Sequence, residues 1–181
     1  GRYEISKSED GSGKAQSKKN KVPLENVIWG NSMTDLSGGI VEKARAMYPY
    51  REELKKGNVV STLIYGVAWD ETIKFLKTNE KYQNIDKDST GFGNYATNKL
   101  NLTGSSETYC LNNIYDFAGN AWERTMETYR GQSLDTNLGR VGRGGGCDGN
   151  GQNYPVSVRG ARISAEFAGK ILGGRVQLYI K

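Results

Sequence analysis

The stretch from residue 139 to residue 155 reads GRVGRGGGCDGNGQNYP, and its glycine content constrains the fold more than any other part of the chain. Glycine leaves the backbone free to form turns, and it weakens a helix interior by about 1 kcal/mol relative to alanine. The last six residues, NGQNYP, do not begin a helix. We therefore predict turns and ordered loops in this region.

Two ligand motifs fit this stretch only in part. GGGCDG (Gly144–Gly149) matches GxGxxG by letter, but a phosphate-binding loop needs a helix directly after it. DGNGQN (148–153) begins like a calcium loop, yet Asn153 stands where that loop needs glycine, and no glutamate closes it. The sequence thus favours neither nucleotide nor calcium binding here, and we expect no cofactor and no metal.

Charge and length set broader limits. The chain has 181 residues, which suits one domain, and a net charge of +5. Its densest basic run (Lys18, Lys19, Lys21) has no aromatic residue between the lysines, so we do not expect nucleic-acid binding. No apolar stretch approaches the roughly 20 residues of a membrane span.

Histidine is absent from the chain, which excludes Ser-His-Asp and Cys-His nucleophiles and histidine-bound zinc. The two cysteines, Cys110 and Cys147, leave one disulfide or two free thiols open. Cys147 is better explained as an incidental surface or bridged residue than as a reactive thiol. For Asp116 and Glu123, structural carboxylates that accept hydrogen bonds from the backbone or arginine are favoured over a catalytic pair.

Residues 1–21 are rich in serine, lysine, glycine and aspartate and are predicted to be a flexible or extended N-terminal segment before a ligand-binding domain at 22–181. Val22–Trp29 is predicted to be extended. A helix capped by Asn31 or Ser32 is predicted next. Its apolar positions would be Met33, Leu36, Ile40 and Met47.

Further along, Val59–Tyr65 has the composition of a strand. Trp69, Ile73 and Leu76 recur at helical spacing and predict a second helix with one buried face. The chain between residues 79 and 106 is rich in turn residues. At the C-terminal end, Val176, Leu178 and Ile180 alternate with other residues and predict a strand.

Four blocks, in order, resemble the formylglycine-generating-enzyme/sulfatase-modifying domain. They are VPLENVIW (22–29), LIYGVAWDETIKFL (63–76), YDFAGNAWERT (115–125), and RVGRGGG with VSVRGAR and GGRV (140–176). The resemblance implies an α+β, C-type-lectin-like fold of two helices, a small twisted antiparallel sheet and long ordered loops. It also implies that Gly119-Asn120 forms a turn, that Trp122 lies in the core, and that Glu123 bonds the backbone or an arginine.

Several departures argue against enzyme activity. The oxidases of that family use a cysteine pair in the last block, where this chain has Cys147 alone, and the iron-dependent relatives use histidine ligands. We therefore expect no catalysis. A formylglycine-generating-type oxidase is the less favoured alternative.

The non-catalytic variable proteins of diversity-generating retroelements, which include phage tropism determinants, resemble this chain more closely. The resemblance implies a variable region at about 140–176, in which template adenines are randomised. Ten residues there are the candidate ligand-binding positions. They are Gly142, Gly146, Cys147, Asp148, Asn150, Asn153, Val158, Gly160, Arg162 and Ile163.

The implied function is binding of a receptor, either a protein or a glycan on a cell surface, by a protein of a phage tail or a bacterial surface. The alternative is an undiversified adhesin or carbohydrate-binding module on the same fold. The sequence does not set the oligomeric state.

Overall fold

The structure is a computed structural model that describes residues 1–10, 12–48, 59–129 and 139–180, with only the backbone described at Ala161 and Arg162. Its α-helices are α1 (Ile40–Met47) and α2 (Gly66–Lys77). The strands are β1 (Ser6–Lys7), β2 (Ala15–Gln16), β3 (Val59–Leu63), β4 (Cys110–Leu111), β5 (Ile114–Tyr115), β6 (Trp122–Tyr129), β7 (Gly139–Arg143), β8 (Gly160–Ile163), β9 (Leu172–Gly174) and β10 (Val176–Ile180). The described chain is thus α+β, with two α-helices and small sheets, as predicted. Within these ranges no helix has the length and apolar character needed to cross a bilayer.

The largest sheet has four strands in the order β8-β7-β6-β9. β7 pairs antiparallel with both β6 and β8, whereas β9 pairs parallel with β6, so the predicted antiparallel sheet also contains one parallel pair. Between β8 and β9 the chain passes from one edge of this sheet to the other. Such a crossover is what a parallel pair of strands requires. The remaining pairs, β1–β2, β3–β10 and β4–β5, are antiparallel.

Helix α2 confirms its predicted face. Trp69, Ile73 and Leu76 are all buried. The Trp69 ring stacks on Phe117 with 4.1 Å between ring centroids, and its indole N–H donates to the Val156 carbonyl at 2.8 Å. Since residue 156 follows the glycine-rich stretch, α2 holds the end of that stretch against the core.

Helix α1 begins at Ile40, eight residues after Ser32, so the predicted N-terminus is wrong. The Ser32 hydroxyl accepts from the amide of Asp35 (2.9 Å), and the Asp35 carboxylate accepts from the amide of Ser37 (3.0 Å). These side chains compete with helical hydrogen bonds and form turns instead. Gly38, at φ +68°, then redirects the backbone before the helix starts.

The N-terminal segment packs against the rest of the molecule. Ile5 and Ser6 are fully buried, and the amide of Ile5 donates to the carbonyl of Gly174 at 2.8 Å. An isolated bridge joins Glu4 to Arg175. Residues of the predicted N-terminal segment therefore contact the C-terminal part of the chain.

The predicted strands β3 and β10 pair with each other, with Val176 opposite Leu63. Both of these residues are buried, together with Trp29 and Ile40 of the core around α1. Towards its end β10 leaves the core, since Ile180 is 84% exposed.

Candidate functional site

Main-chain hydrogen bonds hold the loop that follows β7. Gly144 and Gly145 adopt φ values of +86° and +76°, which favour glycine. The carbonyl of Gly144 accepts from the amide of Gly119 and from the hydroxyl of Tyr95, both at 2.8 Å. The predicted loop thus leaves the sheet through a turn that the rest of the molecule fixes.

The same loop makes further main-chain bonds. The amide of Cys147 donates to the carbonyl of Asn120 at 2.8 Å, and its carbonyl accepts from the amides of Thr97 and Asn98 at 2.9 Å. The amide of Ala96 donates to the carbonyl of Gly149 at 2.8 Å. These bonds use no side chain of residues 146–153, so none of them is removed when an exposed side chain at position 148, 150 or 153 changes.

Asn120 supplies the support beneath this loop. Its side-chain oxygen accepts from Asn94 Nδ2 (3.0 Å) and from the amide of Asn101 (2.8 Å). Its Nδ2 donates to the Glu4 carboxyl at 2.6 Å, and that carboxyl also accepts from the amide of Ala121 at 3.1 Å. Asn120 is fully buried, and its φ of +62° follows +66° at Gly119, which confirms the predicted turn.

The two acidic residues Asp116 and Glu123 of the segment YDFAGNAWERT accept hydrogen bonds from the backbone and from an arginine, as predicted. Glu123 and Arg175 form a buried ion pair at 2.5 Å, and Arg175 also donates to the carbonyl of Tyr115 at 2.8 Å. The Asp116 carboxylate accepts from the amide of Gly104 at 2.6 Å.

Burial raises the pKa of these carboxyls. The pKa of Glu4 lies well above its usual value through burial first and then through the charges of Asp116 and Glu123, while Arg175 lowers it. Burial also raises the pKa of Asp116 and of Glu123. All three carboxyls bind a proton more tightly in the folded chain than in the unfolded one.

We expect these three carboxyls to lower the free energy of unfolding as the pH rises from about 4.5, the ordinary pKa of a glutamate, against an opposite contribution from the Gly1 amine, whose pKa burial lowers to about 5. A carboxyl with a raised folded-state pKa stabilises the fold fully below its unfolded pKa, and this stability is lost as the pH rises through the folded pKa. Urea unfolding between pH 4.5 and 8 measures this slope. Glu4→Gln should make it shallower. Glu107→Gln should not make the slope shallower, because hydrogen bonds from Lys19 and Tyr115 lower the pKa of that exposed carboxyl. Equal slopes in wild type and Glu4→Gln would contradict a contribution from the raised pKa of Glu4.

Three predicted binding positions lie exposed on the loop, namely Asp148, Asn150 and Asn153. The side-chain oxygen of Asn150 accepts from the amide of Asn153 at 2.8 Å, and its carbonyl accepts from the amide of Tyr154 at 2.9 Å. This local turn places the loop tip in solvent beside Tyr154, which is 42% exposed.

Trp122 is half-buried, so its predicted place in the core is wrong. Three predicted binding positions surround its indole ring, and all three are glycines. A β-carbon at Gly142, Gly146 or Gly160 would lie 3.5, 2.6 or 2.6 Å from the nearest Trp122 ring atom. The ring therefore lies against bare backbone of β7, of the following loop and of β8, because no side chain occupies that space.

Gly142 and Gly146 are themselves buried beneath the ring. We call the surface formed by Trp122, Tyr154, Ile163 and the exposed Asp148, Asn150 and Asn153 the Trp122 face. Tyr154 meets Trp122 edge-on with 5.3 Å between ring centroids, and the side chain of Ile163 reaches to 3.1 Å from a β-carbon built on Gly142. Tyr154 was not among the predicted residues. The one sequence signal for Tyr154 as a site residue is its position in a loop that holds predicted binding residues.

Other predicted positions stand apart. Cys147 is 1% exposed, and both cysteines are free, so Cys147 is neither a surface residue nor a bridged one. Burial raises the pKa of its thiol, which disfavours the reactive thiolate. Val158 is half-buried, and the side chain of Arg162 lies outside the described residues.

An ion network fixes the chain between the loop and β8. Arg143, 1% exposed, donates to Asp70 (2.6 Å), to Glu127 (3.3 Å) and to the carbonyl of Ser157 (2.8 Å). Arg159 bonds the same two carboxylates at 2.9 and 3.0 Å. Helix α2 and strand β6 thus hold both ends of the segment that carries Val158.

Comparison with known proteins finds a likeness of fold to a solved structure. No protein-family model and no curated protein matches the chain. The solved structure of Treponema denticola variable protein 1 matches with a TM-score of 0.51 and 18% sequence identity, over 93% of this chain and 74% of that one. At this identity the likeness is one of fold, and the resemblance to formylglycine-generating domains stays a prediction. The arrangement of two helices and small sheets is therefore shared with a variable protein.

Proposed function

We propose that this chain is a non-catalytic ligand-binding protein with a C-type-lectin-like fold, and that a diversity-generating retroelement diversifies its Trp122 face. The observation that carries the proposal is the anchoring of residues 144–151 through main-chain groups. A surface that must accept many side chains is best built on a backbone that folds without them.

The anchoring also favours binding. A loop that is ordered before association loses little conformational entropy when a partner binds. The exposed residues on it are Asp148, Asn150, Asn153 and Tyr154, and tyrosine and asparagine are common in surfaces that bind diverse partners. The fold shared with a variable protein and the four sequence blocks support the same function.

Joint replacement of the exposed loop positions tests the proposal in the folded protein. We expect Asp148→Ser, Asn150→Ala and Asn153→Ala together to lower the free energy of unfolding by about 1.5 kcal/mol or less, since surface substitutions usually change it by up to about 0.5 kcal/mol each. Thermal and urea unfolding measure this. Asn120→Ala is the matched control and should cost clearly more than Asn153→Ala, because it removes the buried amide that joins four segments. Collapse of the triple variant would contradict the proposal.

Diversification itself is tested by sequencing the locus in several related isolates. We expect differences concentrated at the codons of the exposed Trp122-face positions, and a nearby reverse-transcriptase gene with a near-copy of the 3′ coding segment that differs at adenines. Invariant positions across isolates would refute diversification and favour the undiversified adhesin or carbohydrate-binding module.

A further inference from the structure

The three tryptophans differ in how their indole N–H groups are used. Trp29 and Trp69 are at most 1% exposed, and their N–H groups donate to the carbonyls of Thr125 (3.0 Å) and Val156 (2.8 Å). Trp122 is half-buried, and among the described residues its N–H has no acceptor. A tryptophan that reaches the surface usually directs its N–H to a partner there.

An acceptor lies close to this donor without bonding it. The position of a β-carbon on residue 146 is 2.9 Å from Trp122 Nε1 and 2.8 Å from Asp148 Oδ1. The donor and the acceptor are therefore within about two hydrogen-bond lengths of each other. Because position 146 is glycine, no side chain stands between the two groups.

We propose that the ligand of the Trp122 face is a saccharide, one hydroxyl of which accepts a hydrogen bond from the indole N–H of Trp122 and donates one to the carboxylate of Asp148. The proposal rests on the proposed function, because it assigns a ligand class to the same surface.

The pairing of groups favours a hydroxyl over a lone carbonyl or an ammonium group. A hydroxyl donates and accepts at the same atom. A peptide carbonyl would accept from Trp122 but could give nothing to Asp148, and an ammonium group would bind Asp148 but could not accept from Trp122.

The surroundings favour a sugar ring over a serine or threonine side chain. Trp122 and Tyr154 offer aromatic surface beside the pair, against which the C–H groups of a sugar ring can pack. Asn150 and Asn153 lie exposed on the same loop and offer amide groups to further hydroxyls. A single serine or threonine would use one hydroxyl and leave these groups without partners.

The test screens the whole chain on a printed array of neutral bacterial and mammalian oligosaccharides, followed by calorimetric titration of the best-bound soluble oligosaccharide. We expect binding to at least one saccharide class. Trp122→Phe keeps an aromatic ring without the N–H, and Asp148→Ala removes the acceptor; each should weaken the titrated affinity roughly tenfold, the effect of one good hydrogen bond.

Gly146→Ala should also weaken binding at least tenfold, because its β-carbon would enter the space between donor and acceptor. Gly91→Ala is the matched control, since a β-carbon there meets no atom within 4 Å, and it should bind as wild type does. If Gly146→Ala fails to fold, the exposed Asp148→Ala decides the question alone.

Two results would overturn the inference: no saccharide bound by the wild type, or wild-type affinity in Asp148→Ala. Either result is compatible with sequence variation at the Trp122-face codons. If that variation is found, the proposed function holds and the ligand belongs to another class, such as a protein. Saccharide binding with invariant codons would instead keep this inference and refute diversification.

Discussion

Replacing Arg175 with methionine is expected to lower the free energy of unfolding by about 3–5 kcal/mol, the cost of leaving a buried charge without its partner. Arg175 and Glu123 are each 1% exposed, and Arg175 Nη2 lies 2.5 Å from the Glu123 carboxylate. Since Arg175 lies between β9 and β10 and Glu123 lies on β6, the pair fixes the junction of β9 and β10 against β6. Urea unfolding at neutral pH measures the loss.

Arg159→Met is the matched control for this variant. Arg159 also bonds carboxylates, those of Asp70 and Glu127, but its side chain is 55% exposed. Exposed ion pairs contribute about 0–1 kcal/mol, so this change should cost far less. Equal losses in the two variants would show that burial does not set the strength of the Arg175 pair.

A double variant separates the two parts of the effect. Adding Glu123→Leu to Arg175→Met removes the unpaired carboxylate, so we expect it to recover part of the lost stability. Recovery should be incomplete, because the carbonyl of Tyr115 still lacks the hydrogen bond that Arg175 donates. A double variant less stable than Arg175→Met alone would refute an unpaired carboxylate as the source of the loss.

Local sequence patterns predicted the structure correctly where buried residues recur at the period of a helix or where a turn pair is present. The spacing of Trp69, Ile73 and Leu76 predicted the buried face of α2, and the pair Gly119-Asn120 predicted a turn that the structure confirms. Helix α1 was predicted too long because Asn31 and Ser32 are residue types common at helix N-termini, whereas the structure places turns formed by the side chains of Ser32 and Asp35 there. Whether such side chains form turns or cap a helix depends on the backbone around them.

The environment of Trp122 could not be predicted from its neighbours in sequence. A large apolar residue after a turn is typical of a core, yet this ring lies half-buried against glycines 20 or more residues away along the chain. Residues distant in sequence also determine which loop residues are exposed at the site. Exposure of Asp148, Asn150 and Asn153 follows from main-chain bonds to residues 89–98 and 120, which no pattern within the glycine-rich stretch encodes.

Gly151→Ala is expected to lower the free energy of unfolding by about 1–3 kcal/mol, the usual cost of forcing extra atoms into a packed site. A β-carbon on Gly151 would stand 2.1 Å from the amide nitrogen of Thr90 and 2.5 Å from the carbonyl carbon of Ser89. Both are backbone atoms, so a change of side-chain rotamer cannot relieve the clash. The loop must therefore move away from residues 89 and 90.

That movement should also disturb the Trp122 face. The amide of Ser89 donates to the carbonyl of Gly151 at 3.0 Å, and this bond holds the loop just beyond Asn150. In Gly151→Ala we expect faster hydrogen exchange at the amides of Ser89 and Ala96. Gly91→Ala, on the same facing segment but with open space around its β-carbon, should leave both exchange rates and stability unchanged. Wild-type exchange in Gly151→Ala would mean that the main-chain contact at residue 151 does not hold the loop in place, and the backbone anchoring on which the proposed function rests would lose its basis.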